Sequence, residues 1–216
     1  PVNPKYAPLS DRGRGQIRQL SKQFAEEEIH FDHIYSSTMP RAIETAKLIA
    51  KYQRHQTHIE LDALREIKAG RLVEIPHDQA ERIIHYAYHQ KSQQLTHFLN
   101  GESWQAFQSR VIPCIEQLLY QHVNQKIFIA AHDVVNRLIL AWAHDQLDQD
   151  LHAQEQHYGA LNIIDVYIAD DRIVEKRVLL QNYTPYNLFK KDLRHNAVED
   201  IYQMYLKTNG FQEKLA

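Results

Sequence analysis

Helical and extended hydrophobic patterns alternate along the chain. Apolar residues recur every three or four positions between Ser10 and Glu28, which predicts a first helix. A short extended run at 31–37 follows, and the helical period returns after Thr38, which we expect to cap a second helix. Two glycines in the first turns of the first helix lower its propensity, so we expect close neighbours that require small residues there.

The rest of the sequence adds a second buried strand, a hairpin and more helices. Residues 126–131 are apolar on both faces, which favours a central parallel strand covered by helices on each side. Residues 161–180 alternate in the extended period around Asp170-Asp171, which predicts a β-hairpin. These patterns together predict a three-layer α/β/α sandwich with a mostly parallel central sheet. The other predicted elements are a strand at 59–64, a loop at 65–72, and helices at 76–90, 102–122 and 197–207, the last capped by Asn196.

The length of the chain bounds its domain organisation. A chain of 216 residues matches the size of one domain with its own hydrophobic core. We therefore expect a single domain over residues 1–216. Within it, 72–101 is a candidate cap segment that sets specificity, and 208–216 is expected to be a flexible tail.

Composition and charge narrow the classes of partner. Lys and Arg number 25 and Asp and Glu number 27, so the formal net charge is −2. We therefore expect no binding to nucleic acid or to an anionic membrane, since both require a clustered basic face. The apolar runs are far shorter than the roughly 20 residues of a membrane span. One cysteine and the lack of a signal-peptide pattern predict a soluble, cytoplasmic protein.

The predicted parallel strands end in residues that suit an anion. Arg41 lies in the first turn of the helix after one strand, and His132 directly follows the other. Carboxyl ends of parallel strands and helix N-termini meet at one edge of such a sheet, where arginine side chains bind phosphate. Taken alone, Arg41 is better explained as an exposed helix charge, whereas His132 is equally well explained as a buried core histidine.

Five short segments follow one another in a fixed order: PLSDRGRGQ at 8–16, SSTMPRAIETA at 36–46, LREIKAG at 64–70, GES at 101–103 with Arg-Val at 110–111, and AHDVVNR at 131–137. Each segment is a weak signal by itself. In this order, the set resembles the histidine phosphatase superfamily, which includes cofactor-dependent phosphoglycerate mutases, fructose-2,6-bisphosphatases and small phosphomonoesterases. The resemblance runs over nearly the whole chain and implies a phosphoglycerate mutase-like fold.

The resemblance also implies roles for individual residues. Arg41 and His132 would bind the phosphoryl oxygens, helped by the backbone N–H of Asp133. Glu66 would protonate the leaving oxygen and later deprotonate the attacking water. Asp133 stands where relatives most often have glycine, and we expect its side chain to cap the following helix. The implied reaction is hydrolysis of a small phosphorylated metabolite through a phosphohistidine, with no metal and no cofactor.

The nucleophile of the family is missing from this sequence. It is the histidine of an Arg-His-Gly motif at the end of the first strand, and the motif does not occur here. The only Arg-His pairs, at 54–55 and 194–195, lie in the wrong order. We therefore expect an apolar strand ending in Arg-His upstream of Pro1. If Pro1 is the natural terminus, the resemblance implies a pseudophosphatase, which binds phosphate or a protein without forming a phosphohistidine.

Two other functions stay open. Mutases of the family have Tyr-Gly shortly after the acid, whereas Lys-Ala-Gly follows here, which favours a hydrolase over a phosphoglycerate mutase. His85 and His89 lie four positions apart on a predicted helix and could share a metal ion. Because Tyr86 stands where a zinc peptidase has glutamate, exposed helix histidines are the simpler interpretation.

Overall fold

The computed structural model describes residues 6–53, 57–191 and 197–210. The helices and strands, in chain order, are α1 (Asp11–Glu26), β1 (His33–Ser37), α2 (Pro40–Ala50), β2 (Ile59–Leu61), α3 (His77–His85), α4 (Trp104–Gln121), β3 (Ile127–Ala130), α5 (Asp133–Ala143), β4 (Leu161–Ala169), β5 (Arg172–Tyr183) and α6 (Ala197–Thr208). Single 3₁₀ turns lie at Asp62–Leu64, Leu72–Glu74 and Leu151–Ala153.

The predicted parallel sheet is confirmed. Its strands have the order β2-β1-β3, and both pairs are parallel, with Tyr35 of β1 between Ile59 of β2 and Ile129 of β3. Strands β4 and β5 form a separate antiparallel hairpin, as the alternating pattern predicts. Its two turn residues, Asp170 and Asp171, both have positive φ, which matches the right-handed twist of the flanking strands.

Helices cover both faces of the parallel sheet, which confirms the three-layer sandwich. Ile34 of β1 and Phe128 of β3 point to the face that α1 and α2 bury. Ile129 points to the opposite face, where α4 and α5 lie. This alternation follows from the period of two along a strand. Because helices bury both faces of the sheet, the strands consist of almost continuous apolar runs.

Helix α1 begins as predicted, but only one of its glycines has a close neighbour. The Oγ of Ser10 accepts the N–H of Gly13 at 3.1 Å and caps the helix. A Cβ at Gly13 would lie 3.3 Å from the Leu9 side chain. At Gly15 no heavy atom would lie within 4 Å of an added Cβ, so the expectation of a close neighbour is wrong there.

The start of α2 differs from the prediction. Thr38 does not cap the helix, because its hydroxyl donates to the Oδ1 of Asp62 at 3.0 Å. The helix begins at Pro40 instead, after Met39, whose side chain makes no capping hydrogen bond. Proline suits this position because its missing N–H would have no partner in the first turn. The shift leaves Arg41 in the first turn, where the sequence predicts it.

The other helices differ from the predicted ones mainly in the residues at which they end. Helix α3 stops at His85 rather than at 90, because the chain turns so that Tyr88 stacks on Phe98 with ring centroids 5.9 Å apart. Helix α6 includes Thr208, the first residue of the predicted tail, and 211–216 and Asn196 lie outside the described residues. Among the described residues, no helix combines the length and apolarity needed to cross a membrane.

Candidate active site

The ends of β1 and β3 converge at one edge of the sheet. Ser36 of β1 pairs with Ala130 of β3, so the residues that follow the two strands are neighbours. The Nε2 atom of His132 and the Oγ of Ser37 form a buried hydrogen bond of 2.8 Å across this edge. Helices α2 and α5 both begin at this edge, after Met39 and His132 respectively, so their positive dipole ends lie near it.

Arg41 brings a positive charge to this edge. Its guanidinium is half-buried, and the Nη2 atom lies 3.6 Å from the Sδ of Met39. Burial lowers the pKa of Arg41, while the nearby Glu66 carboxyl and Tyr158 raise it. The side chain is therefore close to the predicted acid, and it is a half-buried helix residue rather than a fully solvated surface charge.

His132 is buried beside this cation. Its exposed fraction is 6%. Burial lowers the pKa of His132 to about 3, and the positive charges of Arg41, Arg110 and Arg65 act in the same direction. The imidazole is therefore neutral at physiological pH, so the positive charge of the site comes from arginine. A neutral imidazole can still donate one hydrogen bond to an oxyanion.

Ser37 is a site residue that the sequence pattern did not single out. Besides its bond to His132, its Oγ accepts the N–H of Met39 at 3.2 Å. The hydroxyl therefore links the end of β1, the start of α2 and the imidazole. Its neighbour Ser36 is also fully buried, but the Ser36 hydroxyl has no hydrogen-bond partner among the described residues. Only the contact partners distinguish the two serines.

Glu66 lies in the loop after the 3₁₀ turn, with an exposed fraction of 8%. Its Oε1 accepts the N–H of Ile67 at 3.0 Å, and its Oε2 accepts the N–H of Val134 at 3.2 Å. Burial and then the Asp133 carboxylate raise the pKa of Glu66 to about 7, although both hydrogen bonds and Arg41 oppose the rise. A carboxyl group with this pKa can both give and take a proton near neutral pH.

The loop that carries Glu66 is held by Arg110 of α4. The Nη1 of Arg110 donates to the backbone oxygens of Ala63 and Arg65, at 2.7 and 2.8 Å. Its Nε donates to Glu102 at 2.8 Å, and Glu102 in turn accepts the N–H of Lys68 at 3.0 Å. This network explains why the GES and Arg-Val segments accompany the acid loop in the sequence, a function that the motifs alone did not indicate.

The side chain of Asp133 does not cap α5, contrary to the expectation from the sequence. Its Oδ2 accepts the hydroxyl of Tyr88 at 2.7 Å, and its Oδ1 accepts the Nε of Arg137 at 2.8 Å. Glu66 instead accepts an N–H of the first turn of the helix. The backbone N–H of Asp133 lies at the first helical position, where no helix carbonyl can accept it, so its role as an anion donor stays a prediction.

The structure thus brings Arg41, His132 and Glu66 into one site, with Asp133 beside Glu66. Glu66 accepts the N–H of Val134, two residues after His132, and the charge of Arg41 acts on both groups. The site combines a cation, two helix N-termini and a carboxyl group that titrates near neutral pH. Such a site can bind a phosphoryl group and transfer a proton to or from one of its oxygens.

The two histidines of the alternative metal site, His85 and His89, pack against other aromatic rings. The ring of His89 stacks on His152, with centroids 4.2 Å apart and an interplanar angle of 13°. Within 6–53, 57–191 and 197–210, no group of three or more His, Cys, Asp or Glu side chains is placed to hold a metal ion. His85 contacts the ring of Tyr86 edge-on.

Comparison with known proteins connects this site to a family. The model of the histidine phosphatase superfamily (branch 1) matches residues 4–178. Phosphoglycerate mutase-like protein 4 of Arabidopsis thaliana is 29% identical over 133 residues, which cover 60% of this chain and 57% of that protein. Phosphoserine phosphatase 1 of Hydrogenobacter thermophilus is 29% identical over 139 residues, which cover 60% of this chain and 61% of that protein.

A solved structure shares the fold. The alpha-ribazole phosphatase of Shigella flexneri superposes with a TM-score of 0.63 and 24% identity, over 83% of this chain and 87% of that one. The chain spans only 57% and 61% of the lengths of the two sequence relatives. The family model nevertheless matches residues 4–178, which is most of the chain and includes all five segments described above. The chain therefore belongs to the histidine phosphatase superfamily.

Proposed function

We propose that this chain carries the active site of a phosphomonoester hydrolase that acts on a small phosphorylated metabolite through a phosphohistidine intermediate. The observation that carries the proposal is a buried glutamate, Glu66, with a pKa of about 7 beside Arg41 and His132. The names of two similar proteins, a phosphoserine phosphatase and an alpha-ribazole phosphatase, support hydrolysis rather than transfer between two positions of one substrate.

Arg41, His132 and the N–H of Asp133 bind the three non-bridging oxygens of the phosphoryl group in this proposal. Phosphoryl transfer requires mainly this positioning and the neutralisation of charge on those oxygens. Because burial keeps His132 neutral, Arg41 supplies the positive charge and His132 a hydrogen bond. The N-termini of α2 and α5 add partial positive charge near the bound phosphoryl group.

Glu66 donates a proton in the first step and accepts one in the second. A nucleophilic histidine attacks phosphorus, the P–O ester bond breaks, and Glu66 gives its proton to the leaving oxygen. The carboxylate then takes a proton from water, which attacks phosphorus, and the P–N bond breaks to release orthophosphate and the free histidine. We assign no residue of this chain to the nucleophile, because the Arg-His-Gly motif of the family does not occur in the sequence.

Assays on the purified full-length protein test the proposal. We expect metal-free hydrolysis of p-nitrophenyl phosphate in the presence of EDTA, and a phosphoryl label on the protein that is stable to alkali and labile to acid. Binding of inorganic phosphate without turnover and without a label would contradict the proposal and indicate a pseudophosphatase. Transfer of phosphate between the positions of phosphoglycerate, at a rate above hydrolysis, would indicate a mutase.

The pKa of Glu66 predicts a difference between two kinds of ester. An alkyl phosphate needs a proton on its leaving oxygen, so its hydrolysis is expected to fall by about tenfold per pH unit well above pH 7. Hydrolysis of p-nitrophenyl phosphate should decline much less, because p-nitrophenolate leaves without a proton. Steady-state rates of both esters from pH 5 to 9 measure this difference.

The variant Glu66→Gln serves as its control. It should lose most alkyl-ester hydrolysis at every pH and retain more of the aryl activity, because glutamine cannot supply a proton. Parallel pH profiles for both esters in the wild type would show that Glu66 is not the acid.

His132 and His89 form a matched pair of histidines inside and outside the site. We expect His132→Ala to lower kcat/KM by about 100-fold, because it removes a hydrogen bond to the transition state. His89→Ala should keep the wild-type rate, since the ring of His89 packs on the rings of Tyr86 and His152. Phosphate release assays on both variants decide the matter, and equal activity of His132→Ala and the wild type would refute the assignment.

A further inference from the structure

Two acidic residues, Glu66 and Asp133, lie at the N-terminus of α5. The Oε2 of Glu66 accepts the N–H of Val134, at 3.2 Å, and Val134 directly follows Asp133. Both acidic side chains therefore lie at the first turn of one helix, in a partly buried site. Two neighbouring carboxyl groups cannot both ionise cheaply, so one of them holds a proton to higher pH than it would alone.

The partners of the two groups decide which one keeps its charge. Asp133 accepts the Nε of Arg137 at 2.8 Å and the hydroxyl of Tyr88 at 2.7 Å. Arg137 is only 2% exposed, and its guanidinium lies 4.4 Å from the ring centroid of Tyr88. Among the described residues, the hydrogen bonds to the carboxyl of Glu66 come from backbone N–H groups alone. Asp133 is thus paired with a buried guanidinium, whereas the hydrogen-bond partners of Glu66 are uncharged, so Glu66 is the group placed to hold a proton.

We propose that Asp133 is a positioning residue that keeps a negative charge beside Glu66 and so holds Glu66 in its protonated form. The inference rests on the proposed function of Glu66 as the proton donor. In the proposal, Tyr88 and Arg137 fix the carboxylate at the required place.

The surrounding charges do not cancel the effect of Asp133. Burial has the largest influence on the pKa of Glu66, Asp133 raises it further, and Arg41 opposes the rise. Several titratable and charged groups surround the pair: Arg41 of α2, Arg65 next to Glu66 in the loop, Tyr88 of the turns after α3, Arg110 of α4 with its partner Glu102, His132 and Arg137 at and within α5, and Tyr158 before β4. His132 stays neutral, so Arg41 is the cation that acts on Glu66 directly.

The first test follows the Glu66 carboxyl by NMR, in protein with ¹³C-labelled glutamate side chains. In Asp133→Asn we expect the midpoint of the Glu66 titration to move down by about one pH unit, because the variant keeps the shape and removes the charge. The control Asp78→Asn removes an equal charge from an exposed position on α3 and should leave the midpoint unchanged. An unchanged midpoint in Asp133→Asn overturns the proposal.

A second variant is included because replacing Asp133 leaves the buried Arg137 without its ion-pair partner, which destabilises the fold. Asp133→Gly also removes the charge, but it leaves room for water beside Arg137, and the Glu66 midpoint should again move down. The activity readout is the high-pH limb of alkyl phosphate hydrolysis, which should move by the same amount in either variant. If the wild type hydrolyses no phosphomonoester, the proposed function fails, while the NMR titration still decides the relation between Asp133 and Glu66.

Discussion

Replacing Arg41 by alanine is expected to lower kcat/KM for phosphomonoesters by about 1,000-fold, because the guanidinium supplies the positive charge of the site. His132 cannot replace it, since burial keeps the imidazole neutral. The fold should tolerate the change, because burial disfavours the charged form of Arg41 and its removal relieves that cost. Initial rates with an aryl phosphate and urea unfolding curves measure the two effects.

Two further variants sharpen the Arg41 experiment. Arg41→Lys keeps the charge but not the planar fork that matches two phosphoryl oxygens, so its activity should lie between alanine and the wild type. Lys47→Ala removes an exposed cation from the same helix and should leave the rate unchanged. A loss in Lys47→Ala equal to that in Arg41→Ala would indicate a general effect of charge on α2 rather than a contact with the phosphoryl group.

Replacing Gly101 by alanine is expected to destabilise the protein by about 3 kcal/mol or more, because there is no room for a side chain. A Cβ at Gly101 would lie 2.0 Å from the backbone oxygen of Lys68 and 2.5 Å from the backbone nitrogen of Gly70. The backbone of the acid loop would have to move, and Glu66 with it. Urea unfolding should show a large drop in the midpoint, with lower activity even in the fraction that folds.

Gly15→Ala is the matched control for the glycine experiment. It lies inside α1, where an added Cβ would meet nothing within 4 Å, so alanine should raise the free energy of unfolding by about 1 kcal/mol. Stabilisation at position 101, or destabilisation of similar size at both positions, would contradict the packing derived from the structure.

The sequence predicts the sheet and the main site residues because their signals are local. An apolar run at 126–131 and the extended run before Ser36 are sufficient to identify two parallel strands, and the residues after them must then meet. Arg41 and His132 follow from this topology together with the motifs. Local signals predict the helix ends less well. Thr38 satisfies every local rule for a cap, but its hydroxyl donates to the carboxylate of Asp62 instead.

Other features of the site depend on contacts between distant segments, which no local pattern encodes. Nothing in the sequence distinguishes Ser37, which binds His132, from Ser36, which is buried beside it. The pKa of Glu66 depends on its burial and on the orientation of Asp133, both of which follow only from the packed fold. The side chain of Asp133 satisfies the composition rules for a cap, yet it pairs with Tyr88 and Arg137.

The bond between Tyr88 and Asp133 has an evolutionary consequence. Tyr88 belongs to the segment 72–101, which we expect to contact the variable part of the substrate, and its hydroxyl also fixes the carboxylate next to the acid. Mutations that reshape this segment for a new metabolite would therefore also disturb the group that tunes proton transfer. Substrate preference and working pH are then inherited together, and a lineage that drifts in one trait is expected to drift in the other.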